Sequence, residues 1–251
     1  MENRNIIYYE EVDSTNNTLD TLAKDGAKEG TIVVADSQLA GKGRRGRQWE
    51  SPKGENIYMS ILLRPAFNAS LASMLTIVAA YSVALAIREM GFQEAQIKWP
   101  NDIVLSGKKV CGILTELCLK GTEIDYVIVG IGVNVNTKCF ALELSDKATS
   151  LYLEGEKVLN RETILHDIVD KFEEQYARFL HCQDLSFMTE EYNKMLVNRD
   201  REVCVLEPGK EYRAYAKGIT DTGELLVTTA DGCEKKVYAG EVSVRGIYGY
   251  V

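Results

Sequence analysis

The stretch Gly41-Lys42-Gly43-Arg44-Arg45-Gly46 follows a strand-like run, Thr31–Gln38, and fits the G-x-G-x-x-G pattern letter for letter. A dinucleotide-binding fingerprint has to open a helix whose N-terminus receives the pyrophosphate. Here Trp49, Pro52 and Gly54 lead instead into a second strand, Asn56–Arg64, where Ile57, Met59, Ile61 and Leu63 alternate onto one side. A Walker loop fails as well, because no glycine-lysine-serine/threonine run follows. What survives is physical. The glycines let backbone N–H groups point at an anion, and Lys42, Arg44, Arg45 and Arg47 bring four positive charges in six positions. The chain carries 29 Lys and Arg against 37 Asp and Glu, a net charge of −8, so such a concentration calls for a polyanionic partner. A solvated loop, or a short basic patch for nucleic acid, remain open on these residues alone.

Around this loop the chain reads as an α/β fold. Ile6–Glu10 is a short strand, and Asp13-Ser14-Thr15-Asn16 introduces a helix over 15–25 with Leu19, Leu22 and Ala23 at helical spacing. Leu71, Met74, Leu75, Val78, Tyr81 and Leu85 predict a helix over 70–90 that packs on the sheet. Strands follow at Gln96–Trp99, Ile103–Leu105, Lys109–Leu119 and Ile124–Ile131, with turns at Ser106-Gly107 and Gly121-Thr122. Two more helices, Arg161–Cys182 and Ser186–Leu196, close this part. From Arg201 the pattern changes to short strands (203–206, 211–219, 225–228, 235–238 and 242–248) separated by Pro-Gly, Thr-Gly, Asp-Gly and Ala-Gly. The expectation is a central mixed sheet packed by helices over residues 1–198, then a small antiparallel β-barrel over 199–251.

Composition excludes several classes. With 251 residues, 45% hydrophobic and 26% charged, the chain can bury a full core and is neither disordered nor a disulfide-stapled miniprotein. Six cysteines without a C-x-x-C pair read as buried thiols in a reducing compartment. Two histidines, His166 and His181, lie in one helical segment without ligand-spaced partners, which argues against a zinc site or a His-based triad. Met1-Glu2-Asn3-Arg4 lacks a signal-peptide layout, so the cytoplasm is the expected compartment. Ser73, Thr76 and Ser82 interrupt the apolar run Leu71–Ile87, and no membrane span is expected.

Two further features carry chemistry. Gly130-Ile131-Gly132-Val133-Asn134 ends a strand in polar amides, as a close approach of ligand to backbone or a β-bulge would require. In Lys98-Trp99-Pro100-Asn101-Asp102 an ammonium on an apolar strand must either reach solvent or meet a negative partner.

Taken in order, Gly41–Arg47, Lys98–Asp102, Lys109–Glu116 and Gly130–Asn134, with Asp13–Asn16 before them and the small terminal barrel after them, resemble the biotin–protein ligase family. The resemblance spans nearly the whole chain. It implies an α/β catalytic domain akin to lipoate ligases and class II aminoacyl-tRNA synthetases, plus an SH3-like C-terminal domain. Many family members begin with a DNA-binding helix-turn-helix; this chain starts at the catalytic part, so the type without DNA binding is expected. The implied reaction makes biotinyl-5′-AMP from biotin and ATP, then passes biotin to a lysine of a biotin carboxyl carrier protein. ATP chemistry implies magnesium (Mg2+), for which no protein ligand can be named from the sequence. No membrane partner is expected, and the protein is expected as a monomer or homodimer.

The family match also implies residue roles. Lys98 and Arg44 would serve catalysis. Ser14, Thr15, Asn16, Gln38, Lys42, Gly43, Arg44, Lys98, Gly112 and Ile113 would bind biotin. Arg44, Arg47, Trp49 and Asn134 would bind ATP, Trp49 offering a face to adenine. Lys42 stands where the family commonly has arginine, keeping the charge and losing the bidentate fork. Bland readings exist for several: Ser14 and Thr15 as helix caps, Trp49 as loop packing, Gly112 as a bulge, Asn134 as a turn residue. Two other functions are weighed: a lipoate or octanoate ligase of the same fold, and a nonenzymatic nucleic-acid binder. The second is disfavoured because acidic residues interrupt Tyr212, Tyr215 and Tyr238 in the barrel.

Overall fold

The computed structural model describes residues 4–207, 209–239, 243–246 and 250–251. Its elements run β1 (Asn5–Val12), α1 (Thr15–Lys24), β2 (Thr31–Gln38), β3 (Ile57–Leu63), α2 (Met74–Glu89), β4 (Gln96–Lys98), β5 (Asp102–Leu105), β6 (Lys108–Lys120), β7 (Glu123–Val133), α3 (Leu151–Gly155), α4 (Arg161–Cys182), α5 (Thr189–Met195), β8 (Arg201–Glu207), β9 (Lys210–Ile219), β10 (Leu225–Thr229), β11 (Glu234–Val237) and β12 (Ser243–Gly246). The first seven strands form one sheet in the order β1-β2-β3-β7-β6-β5-β4. β1 and β2 pair in parallel and the other neighbours antiparallel, giving the expected mixed sheet.

Strand alternation divides this sheet into two unlike faces. Ile57, Met59, Ile61 and Leu63 of β3 join Val127, Val129, Ile131 and Val133 of β7 in the main core, against α2. α2 is apolar on nearly every side because α4 covers it from behind, through Ile164, Leu165, Ile168, Phe172 and Phe179. By length and hydropathy the segment Ala69–Glu89 qualifies as membrane-spanning (mean hydropathy 2.0); hydropathy alone does not exclude a span, and the fold uses the segment as a core helix. Its helix begins at Met74, later than expected, because the Asn68 side chain caps a separate 3-10 turn, Ala69–Leu71, accepting from Ser70 N at 2.9 Å. The fourth expected helix likewise starts late: Asp184 accepts from Ser186 N (2.9 Å) and holds a turn ahead of α5.

The opposite face carries α1, whose Leu19 and Ala23 pack with Val33, Leu62, Tyr126 and Ile128. Farther along the same face the side chains shrink to Ser60, Gly130, Gly132 and Gly112, which lie across from one another in register. This change from large to small leaves a hollow beyond the end of α1.

The short strands after Arg201 form an antiparallel sheet in the order β11-β10-β9-β8-β12. Among the described residues it is an open sheet with β11 and β12 at its edges. Met1–Asn3, Pro208, Gly240 and the ends of the expected 242–248 strand lie outside the described residues. Val203, Val205, Ala216, Leu225 and Val227 belong to the same apolar cluster as Trp99 and Tyr192, so one core runs through both sheets. Trp99 fastens them together. Its Nε1 donates to the Gly223 carbonyl at 3.1 Å, and its backbone N donates to Asn198 Oδ1 at 3.1 Å.

Candidate active site

The hollow is walled by polar side chains that hold one another. Ser14 occupies the N-cap position of α1 in extended conformation, yet its side chain makes no capping bond and is buried. Thr15 donates to Gln38 Oε1 from its backbone N (2.9 Å) and its hydroxyl (3.2 Å), and Gln38 Nε2 donates to Ser51 Oγ at 2.9 Å. Ser60 Oγ donates to Asn16 Oδ1 at 2.6 Å and lies 2.8 Å from Thr15 Oγ1. Asn16 Nδ2 in turn donates to Glu116 Oε2 at 2.7 Å. Lys42 Nζ, at 3.3 Å from Glu116 Oε1, reaches across the mouth; as an exposed pair this contact contributes at most about 1 kcal/mol.

Glycine is required on the floor. A Cβ on Gly130 would run into the Asn16 amide, and one on Gly132 would come within 2.7 Å of the Trp49 indole. β7 keeps regular register through both glycines, so neither marks a bulge. The register shift between β5 and β6 falls at Ile103/Val104, beside Gly112 and not on it.

The basic loop forms the roof. Trp49 N donates to Gly41 O (2.8 Å) and Gly43 N to Arg47 O (2.7 Å), folding the loop back on itself. Arg44 Nη1 donates to Asn101 Oδ1 at 2.9 Å, while Asn101 Nδ2 donates to the Ile113 carbonyl at 2.9 Å, tying the loop to β6. Burial draws the Arg44 guanidinium below its ordinary pKa, against the pull of Asp102. Trp49 presses on Gly112 and Gly132, and its buried Nε1 has no hydrogen-bond partner.

Three cavities meet at Trp49. The hollow itself retains only about 40 Å³, lined by Ser14, Thr15, Asn16, Gln38, Lys42, Gly43, Arg44, Trp49, Gly112 and Ile113. Beside it opens a cavity of about 760 Å³ where Arg44, Arg45, Arg47, Lys98, Lys109 and Lys147 face two carboxylates, Asp102 and Asp146. Lys98 therefore adjoins the hollow without lining it. Asn134 lies apart, in a third cavity of about 490 Å³ with Cys139 and Phe140, and its amide Nδ2 donates to Thr149 O at 3.0 Å.

Lys98 is 5% exposed. Its ammonium lies 3.3 Å from the centroid of the Tyr250 ring, and Tyr250 donates its hydroxyl to Asp102 Oδ2. Lys109 Nζ sits 2.6 Å from Asp102 Oδ1, an ion pair off the line of an aligned hydrogen bond. Burial pushes the Asp102 carboxyl up, but Lys109, Tyr250 and Lys98 outweigh it and hold the group below the usual carboxylate range.

A hollow with convergent amides and hydroxyls beside a cationic cavity suits a ligand with a polar head and an anionic tail. The sequence model of the Biotin/lipoate A/B protein ligase family matches residues 8–134, and that of the Biotin protein ligase C terminal domain matches residues 200–245. The chain belongs to the biotin protein ligase family. Within it, the chain is 36% identical over 245 residues to the bifunctional ligase/repressor BirA of Bacillus subtilis, covering 96% of this chain and 74% of that protein. A biotin–[acetyl-CoA-carboxylase] ligase of Paracoccus denitrificans is 43% identical over 240 residues, covering 93% of this chain and 98% of the relative. Among solved structures, the biotin protein ligase from Aquifex aeolicus in complex with biotin and ATP superposes with a TM-score of 0.84 at 33% identity, covering 97% of this chain and all of that one.

Sequence reading did not single out Ser60 or Tyr250, and gave no role to Lys109 and Glu116, the two ends of the Lys109–Glu116 motif. Ser60 and Glu116 sit at even positions with Gly112, Gly130 and Gly132 on the small-residue face, so strand parity offered a signal for them. Tyr250 had none, since it is 148 positions from Asp102.

A cavity of about 40 Å³ falls well short of the roughly 300 Å³ at which small-molecule pockets begin. Entry of a ligand must therefore lift Trp49 off its glycines. Backbone amides of residues 39–53 are expected to exchange measurably with deuterium in the free protein and to become protected with biotinyl-AMP; protection that biotinyl-AMP leaves unchanged would contradict this.

Proposed function

We propose that the chain is an ATP-dependent biotin–protein ligase, which activates biotin as biotinyl-5′-AMP and transfers it to a lysine of a biotin carboxyl carrier domain. The observation that carries this reading is the pairing of a polar, glycine-floored hollow with a cationic cavity across Trp49. A ureido ring offers two N–H donors and a carbonyl acceptor, which the Ser14, Thr15, Asn16, Gln38 and Ser60 groups can answer. A lipoyl dithiolane or an octanoyl chain offers none of these and would leave the walls unpaired, so the lipoate alternative is the weaker one.

In the first step a biotin carboxylate oxygen bonds to the α-phosphorus of ATP, and the bond to pyrophosphate breaks. The carboxylate is ionised near neutral pH, so the step requires positioning and charge cancellation and no general base. Lys98 would meet carboxylate and α-phosphate together, while Arg44 and Arg47 hold phosphates from the roof. In the second step the carrier amine attacks the acyl carbon and AMP leaves. Magnesium would enter with ATP as part of the substrate; among the described residues no group of three His, Cys, Asp or Glu is placed to hold a metal ion. Asn134 supports the nucleotide side less directly, because its amide is already bonded to Thr149. We place the domain boundary near Asn198, where the helical part gives way to β8, and read the protein as cytoplasmic; six unpaired cysteines support a reducing compartment, although only Cys111 is buried as expected and Cys139, Cys182 and Cys233 are exposed.

Nucleic-acid binding is the lesser alternative because Arg44, Arg45 and Arg47 of the basic loop line the cavity shared with Lys98, although Lys42, Arg45 and Arg47 are exposed. Lys217 and Lys235 do lie over Tyr215 and Tyr212 (4.7 and 5.1 Å), a local pairing on the second sheet that Glu207, Glu211 and Glu234 interrupt.

Pyrophosphate release from ATP tests the reading. Biotin should stimulate it, lipoate and octanoate should not, and the reverse preference would overturn it. Arg44 should matter most for retention. Its bond to Asn101 ties the roof down, so Arg44→Gly should still form biotinyl-AMP but release it, raising biotin incorporation into bystander proteins. A variant that forms no adenylate would place Arg44 in the first step instead.

A further inference from the structure

A buried ammonium needs something in place of the water it has lost. For Lys98 that group comes from the far end of the chain. The Tyr250 ring lies 3.3 Å from Lys98 Nζ, well inside the roughly 6 Å over which an aromatic face attracts a cation. The hydroxyl of the same ring donates to Asp102. Lys98 and Asp102 are cross-strand partners of β4 and β5, so opposite charges stand at neighbouring backbone positions. Asp102, however, meets Lys109 with one oxygen and Tyr250 with the other. Asp102 attracts Lys98 as a charge, while its two oxygens face Lys109 and the Tyr250 hydroxyl. A ring face, by contrast, holds an ammonium without neutralising it.

We propose that Tyr250 is a positioning residue for Lys98: its ring holds the ammonium at the floor of the cationic cavity, beside an Asp102 carboxylate already paired with Lys109. The proposal rests on the reading of Lys98 as the cation for carboxylate and phosphate. It gives the segment after the second sheet a part in the site that neither the motifs nor the spacing of the sequence announce.

Two readouts test it. In protein labelled with 13C at the lysine ε-carbons, the signal missing from Lys98→Arg identifies Lys98. The ring current should hold that signal upfield in wild type and in Tyr250→Phe, and Tyr250→Leu should return it to the ordinary lysine position. In biotin-dependent pyrophosphate exchange, Tyr250→Leu should lose about 5- to 30-fold in kcat with KM for ATP within about twofold, and Tyr250→Phe should recover most of the loss. A Lys98 signal that Tyr250→Leu does not move, a phenylalanine variant as impaired as the leucine one, or a leucine variant with wild-type kcat would each overturn the proposal. Wild-type protein inert toward biotin and ATP, with the ring-current shift intact, would overturn the ligase reading alone, since the NMR measurement needs no turnover.

Discussion

Lys98→Ala is expected to lower biotin-dependent pyrophosphate exchange by about 10²- to 10³-fold while the protein stays folded. The magnitude is that of removing one preorganised group aimed at charge that develops in the transition state. Survival of the fold follows from the surroundings: Asp102 keeps Lys109 at 2.6 Å and the Tyr250 hydroxyl, so removal of Lys98 does not strand a buried carboxylate. The walls of the hollow do not include Lys98, so recognition of the biotin head should persist. Calorimetric titration with biotin alone should accordingly show a far smaller loss than the exchange rate does. Near-normal exchange in a folded variant would remove Lys98 from the chemistry.

The site was legible to the extent that it is local in sequence. Ser14, Thr15, Asn16, Gln38, Gly43 and Arg44 come to one hollow because each sits at the end of an element or in the loop between β2 and β3, and end positions are visible as turn and cap chemistry. The alternation of β3 and β7 was legible too, since period two needs only the strand itself. Which face would be left uncovered was not, because that depends on where α1 stops over Leu62 and Ile128. The same ignorance made Gly130 and Gly132 ambiguous between a bulge and a close approach. The structure decides it: the approaching groups are Asn16 and Trp49, from two separate segments of the chain. Trp49 itself shows the limit of motif reading. Its residue type suited an adenine face, yet it lies inward on the glycine floor, with no partner for its Nε1 among the described residues. Asn134, placed with the nucleotide by family pattern, bonds a backbone carbonyl that no periodicity could have put beside it.

Gly130→Val should abolish tight biotin binding without unfolding the sheet. Valine is a good strand former, and β7 pairs in register with β3 and β6 on either side, so the backbone at residue 130 has nowhere to retreat. The new Cβ meets the Asn16 amide, and Asn16 must give way. In doing so it abandons Ser60, which donates to its Oδ1 at 2.6 Å, and Glu116, which accepts from its Nδ2 at 2.7 Å. Ligand groups that the displaced Asn16 and the disturbed Ser60 no longer answer cost about 1 to 3 kcal/mol each, so the two together, at about 3 to 4 kcal/mol, should cost about 10²- to 10³-fold in Kd. Gly132→Val makes the informative contrast, because its added side chain strikes Trp49 instead. That variant should hold the roof off the floor, leave the Asn16 network intact and raise the exchange of residues 39–53 even with biotin present. Isothermal titration of both variants with biotin distinguishes the two halves of the hollow. A folded Gly130→Val that binds biotin within about threefold of wild type would show that the Asn16–Ser60–Glu116 wall does not read the ligand.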